Sequence, residues 1–184
     1  FATWDPKAPS LLDYLGDITW HMDLFLDRRA GGTEVLPGVQ RRVLNCNWKI
    51  PSDNSAGDNY HFPVTHGSFT AVTGRSSSST AFNSDPNRVV IHTGNGHCVN
   101  GFYIGPNRNP MASARANGPV GSKMRDYHEE HWAELKQRLG AARANQAAMN
   151  IGNIFPSTSW IGSPQIRLRH PRGPENFEMW SYGL

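Results

Sequence analysis

The stretch Arg88-Val-Val-Ile-His-Thr-Gly-Asn-Gly-His-Cys-Val-Asn-Gly-Phe-Tyr-Ile104 decides the fold class. Two runs that mix polar and apolar positions, 88–92 and 98–104, flank Thr93-Gly-Asn-Gly96. Glycine and asparagine tolerate the positive φ angles of a tight hairpin turn, so the stretch predicts a β-hairpin. Mixed strands of this kind suit a half-buried antiparallel sheet rather than a parallel sheet covered on both faces.

Working outward, Asn150–Phe155 reads as extended, and Ile166–Arg169 and Phe177–Tyr182 flank His170-Pro-Arg-Gly-Pro174 as another hairpin. Towards the start, Thr33–Leu36 and Val39–Leu44 surround the turn dipeptide Pro37-Gly38 and predict a third hairpin, running on towards Asn47-Trp-Lys49. Before it, Leu11, Leu12, Leu15, Ile18, Met22 and Leu26 recur at helical spacing, with Ser10 as N-cap and Gly31-Gly32 as a stop. Pro51-Ser-Asp-Asn54 opens a second helix capped by Ser52 or Asp53. Ser122 caps a third that runs to Leu139 and ends at Gly140, and Ala141–Ala148 is helical again. Gly74–Thr80 has too little to bury to be ordered, and Gly105–Gly121 is a long irregular connection. Hairpins interrupted by separate helices, without regular βαβ alternation, define an α+β domain: an antiparallel sheet flanked by helices.

At 184 residues and 20.4 kDa the chain has the size of one domain. Eighteen glycines and thirteen prolines exceed average usage and exclude an all-helical bundle. No apolar run is long enough to span a bilayer and no signal segment opens the chain, so the expectation is a soluble, cytoplasmic protein. Cys46 and Cys98 belong to no Cys-x-x-Cys pair and read as free thiols. The net charge is only +3 and the arginines are scattered, which argues against nucleic-acid binding. Phe1 in place of Met, and an end at Leu184 directly after a strand-like run, give both termini the look of cuts through something larger.

The compact cluster of metal-competent side chains is Asp58-x2-His61-x4-His66. On a regular helix Asp58 and His61 would lie about 60° apart, on one face, but His61 and His66 about 140° apart. Pro63 disfavours helical geometry at Phe62, so the helix is expected to break after His61 and let His66 swing back. Two neutral imidazoles suit Fe, Zn or Cu, and with a carboxylate they form a facial triad with open positions. The spacing is not that of the His-Glu-x-x-His zinc proteases. His128 and His131, with Glu129, Glu130 and Glu134, share a helix side and read as a solvated face; His97 and Cys98 read as ordinary strand or turn residues.

Asn47-Trp-Lys-Ile-Pro-Ser-Asp-Asn54, then Asp58-Asn-Tyr-His61 and Thr65-His66, closely resembles the iron-site segment of the Rieske non-haem iron aromatic-ring-hydroxylating oxygenases, in their large (alpha) subunit. Phe1–Leu15, Glu34–Gly38, Asn150–Pro156 and Arg169–Pro174 resemble further stretches of the same catalytic domain, with the weakest match from 74 to 148. The resemblance implies a truncated helix-grip-like domain that belongs to a dioxygenase. In that family NAD(P)H electrons pass through ferredoxin and reductase partners to a Rieske [2Fe-2S] cluster and on to mononuclear Fe(II), where O2 and an aromatic substrate give a cis-dihydrodiol. It implies His61 and His66 as iron ligands and Asp58 as the carboxylate linking an iron ligand to the Rieske cluster of a neighbouring subunit. Asn54 is implied as a polar residue near the iron, and Asn54, Ser55, Asn59, Phe62, Met149 and Ile161 as pocket residues. Ser55 stands where large apolar side chains are common in the family, which enlarges the pocket for a bulkier arene, polycyclic ones included.

A homotrimer of alpha subunits, with or without a beta subunit, is the assembly implied. Residues 1–184 are then part of the catalytic domain. No Cys-x-His and Cys-x-x-His pairs occur here, so the Rieske domain is expected outside the chain, and so is the third iron ligand, a carboxylate beyond Leu184. The rival reading is a non-catalytic helix-grip domain that binds an apolar ligand in a pocket merely lined by the histidines.

Overall fold

The computed structural model describes residues 3–58, 61–68, 88–102, 109, 119–146, 151–161 and 165–184, with backbone alone at 62–63, 88, 102 and 119–120. Among these, seven strands form one antiparallel sheet: β1 (Gln40–Leu44), β2 (Arg88–Gly94), β3 (His97–Phe102), β4 (Ile151–Ile154), β5 (Thr158–Ile161), β6 (Gln165–Pro171) and β7 (Phe177–Gly183). From β2 to β7 every strand pairs with its sequence neighbour, and β1 joins the far side of β7, giving the order β1-β7-β6-β5-β4-β3-β2. The helices are α1 (Leu11–Leu15), α2 (Ile18–Leu26), α3 (Lys49–Ser55), α4 (His61–Thr65), α5 (Pro119–Glu130) and α6 (Trp132–Ala144). The α+β class expected from the sequence is the one observed.

The β2–β3 hairpin forms as its turn residues dictate. Gly94, Asn95 and Gly96 all have positive φ (89°, 50° and 76°), conformations that β-branched residues resist. The β6–β7 hairpin is also present, in register from Gln165 opposite Gly183 to Pro171 opposite Phe177.

Directly paired residues share a sheet face, which separates the helices into two sets. One face presents Val99, Ile154 and Trp160, and α1 and α2 cover it with Leu15, Ile18 and Phe25. Helix α2 is itself covered on its outer side by α6, through Leu24, Leu135, Leu139 and Ala144. It is thus apolar on two sides, and Ile18 and Leu24 are wholly buried, each worth about 1.5–3 kcal/mol relative to exposure. The opposite face presents Cys98, Asn153, Ser159 and Arg169, and α3 lies on it: the Ser55 carbonyl accepts from Cys98 Sγ, and Gly57 abuts Val90.

Several expectations are corrected. The helix from 11 to 26 is two helices, because Gly16 takes φ 53° after Ser10 caps α1 through the Asp13 N–H. The hairpin around Pro37-Gly38 does not form: β1 pairs with β7, and Leu36 donates its N–H to the Gly183 carbonyl instead. Helix α3 starts at Lys49, so Ser52 and Asp53 are interior rather than caps; Asn47 Oδ1 accepts from the Lys49 N–H at the entry. The third helix is broken at His131 as well as at Gly140, whose φ of 77° is not helical. Strand β5 was not anticipated. The polar run 74–80 and most of 105–118 lie outside the described residues, and both cysteines are free.

Candidate metal centre

The site is built on the step from α3 to α4. Helix α3 ends at Ser55, and Gly57 follows with φ 131°, a conformation that L side chains rarely adopt. A Cβ at Gly57 would stand 2.8 Å from Val90 Cγ1, so backbone and strand meet there at a distance only glycine allows. The chain therefore breaks before His61, not after it. Pro63 sits in the first turn of α4, where the missing N–H has no intrahelical acceptor to lose.

Asp58 organises the start of α4. Its Oδ1 accepts from the His61 backbone N–H at 3.2 Å, and its backbone carbonyl lies 2.7 Å from His61 Nδ1. A carbonyl oxygen can only accept, so Nδ1 is the donor of this contact, and in the neutral tautomer that makes it Nε2 is the nitrogen with the lone pair. That is the state a metal-binding imidazole needs, held by the kind of contact that commonly orients one. The Asp58 carboxylate is also at the Nδ1 edge, with Oδ2 at 3.3 Å, behind the ring rather than beside Nε2.

The centroids of His61 and His66 are 5.5 Å apart, with the rings at 63°. With a metal–nitrogen distance of about 2.1 Å, two imidazoles bound to one ion at 90–120° have centroids about 4.6–5.6 Å apart. The observed separation falls within that range. Among the described residues no three His, Cys, Asp or Glu side chains converge in a way that could hold a metal ion.

Of the other expected site residues, Asn54 is exposed on α3, while Ser55 is 7% exposed and donates its hydroxyl back to the Pro51 carbonyl at 2.9 Å. Ser55 thus packs against β3. Ile161 is half-buried on the same sheet face as Ser159 and Arg169, the face that α3 covers. Asn59 and Met149 lie outside the described residues, as does the Phe62 side chain. His97 is structural: Nδ1 accepts from the Phe155 N–H and Nε2 faces the Tyr14 carbonyl. His131, at the break between α5 and α6, turns its Nδ1 to the Tyr127 carbonyl of α5.

An apolar cavity of about 260 Å³ lies on the other face of the sheet, lined by Met22, Phe25 and Leu26 of α2 and by Ile154, Trp160 and Leu168. His61 and His66 do not line it.

The ring hydroxylating alpha subunit (catalytic domain) family matches residues 11–183. The chain belongs to that family. It is 35% identical to the biphenyl 2,3-dioxygenase alpha subunit of Rhodococcus jostii, over 99% of this chain and 40% of the relative. It is 34% identical to the chlorobenzene dioxygenase alpha subunit of a Cupriavidus species over the same shares. The solved structure of naphthalene 1,2-dioxygenase from a Rhodococcus species, bound to indole, superposes with a TM-score of 0.73 and 28% identity, covering 100% of this chain and 42% of that one. The chain spans about 40% of the length of the curated relatives it matches. No helix among the described residues is long and apolar enough to cross a membrane.

Proposed function

We propose that this chain is part of the catalytic alpha subunit of an aromatic-ring-hydroxylating dioxygenase, and that His61 and His66 hold a mononuclear Fe(II) ion. The observation that carries the reading is the His61–His66 pair, 5.5 Å apart, with His61 Nδ1 already engaged by Asp58. When bound, the iron supplies activation of O2 for cis-dihydroxylation of an arene. The chain's own residues do the holding and orienting. Asp58 fixes the His61 ring and its tautomer, Gly57 sets the step that brings His66 round, and α3 seats the segment on the sheet.

We assign a Rieske [2Fe-2S] cluster outside these 184 residues, since no Cys-x-His pair occurs here, and on the family resemblance the third ligand, a carboxylate, outside them as well. Asp58 is assigned the link between the iron site and that cluster in an adjoining subunit. The partners are ferredoxin and reductase electron donors, in an alpha-subunit trimer. Asn54, Ser55, Asn59, Phe62, Met149 and Ile161 are assigned to the substrate pocket, and the small Ser55 favours a bulky arene.

Anaerobic titration of the chain with Fe(II) tests the ligand assignment. His61→Ala and His66→Ala are each expected to abolish the binding seen with the wild type. Unchanged affinity in both variants overturns it.

A further inference from the structure

Arg169 is the largest fully buried side chain among the described residues, 2% exposed. Burying a guanidinium costs several kcal/mol unless its donors are met. Among the described residues no salt bridge joins it to a carboxylate. Burial draws its pKa down to about 10, so it is still a cation at neutral pH.

Its Nη1 and Nη2 donors go to neutral acceptors in and around one turn, while Nε is buried without a hydrogen-bond partner. Nη1 donates to Ser159 Oγ at 3.0 Å, and Nη2 donates to Asn153 Oδ1 at 2.7 Å and to the Thr158 carbonyl at 3.3 Å. The Pro156 carbonyl lies at 3.5 Å, and the Arg169 backbone N–H donates to the Ser157 carbonyl at 2.8 Å. One side chain thus gathers the whole β4–β5 turn against β6.

That turn is a seat of α3. The Pro156 carbonyl also accepts from Ser52 Oγ at 3.3 Å, and one helical turn later the Ser55 carbonyl accepts from Cys98 Sγ. Cys98 feels the Arg169 charge, and burial keeps it a neutral thiol and therefore a donor, with its pKa raised to about 11. The Pro156 carbonyl that seats Ser52 is thus one that Arg169 also holds, and the sequence runs on from α3 through Gly57 to Asp58 and His61.

We propose that Arg169 is a positioning residue for the candidate metal centre: by clamping the β4–β5 turn beneath α3, it fixes where Asp58, His61 and His66 stand. This rests on the reading of the two histidines as metal ligands. Lysine keeps the charge but offers one point donor in place of the planar fork that spans Ser159 and Asn153.

The test compares Arg169→Lys and Ser52→Ala with Leu24→Ala, a core truncation on the opposite face of the sheet. Hydrogen–deuterium exchange is read across residues 49–55, and anaerobic Co(II) titration gives a Kd and a visible spectrum. Arg169→Lys and Ser52→Ala are expected to speed exchange in α3, weaken Co(II) binding about tenfold and shift its absorption bands. Leu24→Ala is expected to lower Tm while leaving α3 exchange and the Co(II) spectrum at wild type. Wild-type exchange and spectrum in Arg169→Lys and Ser52→Ala overturn the proposal, and so do equal changes in Leu24→Ala. If Arg169→Lys does not fold, Ser52→Ala decides, because it leaves the buried cation intact. If His61→Ala and His66→Ala leave Co(II) binding unchanged, the ligand reading fails, and exchange across α3 decides the clamp on its own.

Discussion

His61 Nδ1 lies 2.7 Å from the backbone carbonyl of Asp58 and 3.3 Å from that residue's carboxylate. The ring is therefore oriented mainly by a group that substitution of the Asp58 side chain does not remove. Asp58→Asn is expected to keep Fe(II) binding, with a loss at or below about tenfold, the low end of what outer contacts of a ligand contribute. His61→Ala is expected to lose binding altogether. Parallel anaerobic titrations check both.

Gly57 combines a left-handed φ with a contact to Val90 that leaves no room for a methyl group. Gly57→Ala is expected to destabilise the chain by about 2–3 kcal/mol from backbone strain and overpacking together. Adding Val90→Ala relieves the contact but not the φ, so recovery is expected to be partial. Urea unfolding of the single and double variants measures the split.

Gly152 is opposite Trp160, and the indole lies where a Cβ would be, 2.0 Å from Cζ2. Gly152→Ala must displace a ring that packs against Phe25 at 6.2 Å between centroids. The expected cost is about 3 kcal/mol, at the upper end of ordinary overpacking. Loss of near-ultraviolet tryptophan signal alongside a lower urea midpoint is the signature. An unchanged midpoint contradicts the placement.

These residues also show which parts of the structure could be read from the sequence. The β2–β3 and β6–β7 hairpins are local, and Gly94-Asn95-Gly96 encodes the first of them directly. The pairing of β1 with β7 joins segments at opposite ends of the chain, and no local pattern in Gln40–Leu44 names its partner. Strand β5 hides because Thr158 and Ser159 are polar and buried, so Thr158–Ile161 lacks apolar alternation. The same inversion conceals Arg169. In Ile166-Arg-Leu-Arg169 the arginines read as a solvent face, but α3 covers that face and only Arg167 remains half-exposed. That His61 and His66 come close together was legible in the sequence. The position of the break was not, because proline in a first helical turn is harmless and Gly57 does the work.

His21 is 5% exposed in the α2–α6 layer, and its Nδ1 has no hydrogen-bond partner. Burial, then the Arg143 charge, lowers its pKa, with Asp17 opposing. The folded state thus favours the neutral ring. Between the lowered folded value and the unfolded value near 6.5 the unfolded chain binds more protons, so stability is full above that window and falls as pH drops through it. Melting temperature is expected to fall from pH 7.5 to pH 5.5 in the wild type and to fall less in His21→Gln. Identical slopes in the two proteins contradict the assignment.

Glu178 accepts from Arg172 Nη2 at 2.7 Å across the β6–β7 turn, which holds its carboxyl below the usual glutamate range. Its contribution is present above the unfolded pKa and is lost as pH falls through the folded one. Carbon-13 titration of the carboxyl is expected to show a depressed midpoint that Arg172→Ala raises. The effect on stability is expected to be slight, as for other exposed pairs.

The pairing of β1 with β7 has a kinetic meaning. Six of the strands can zip up in order, each onto the hairpin before it, but β1 must wait for the last strand before it has any edge to join. Closing so long a loop is entropically slow and raises the contact order of an otherwise sequential meander. On the ribosome, Gln40–Leu44 and its exposed Val43 emerge before Phe177–Gly183 and stay unpaired until that strand has been made, so the nascent chain is open to strand-edge association throughout that interval.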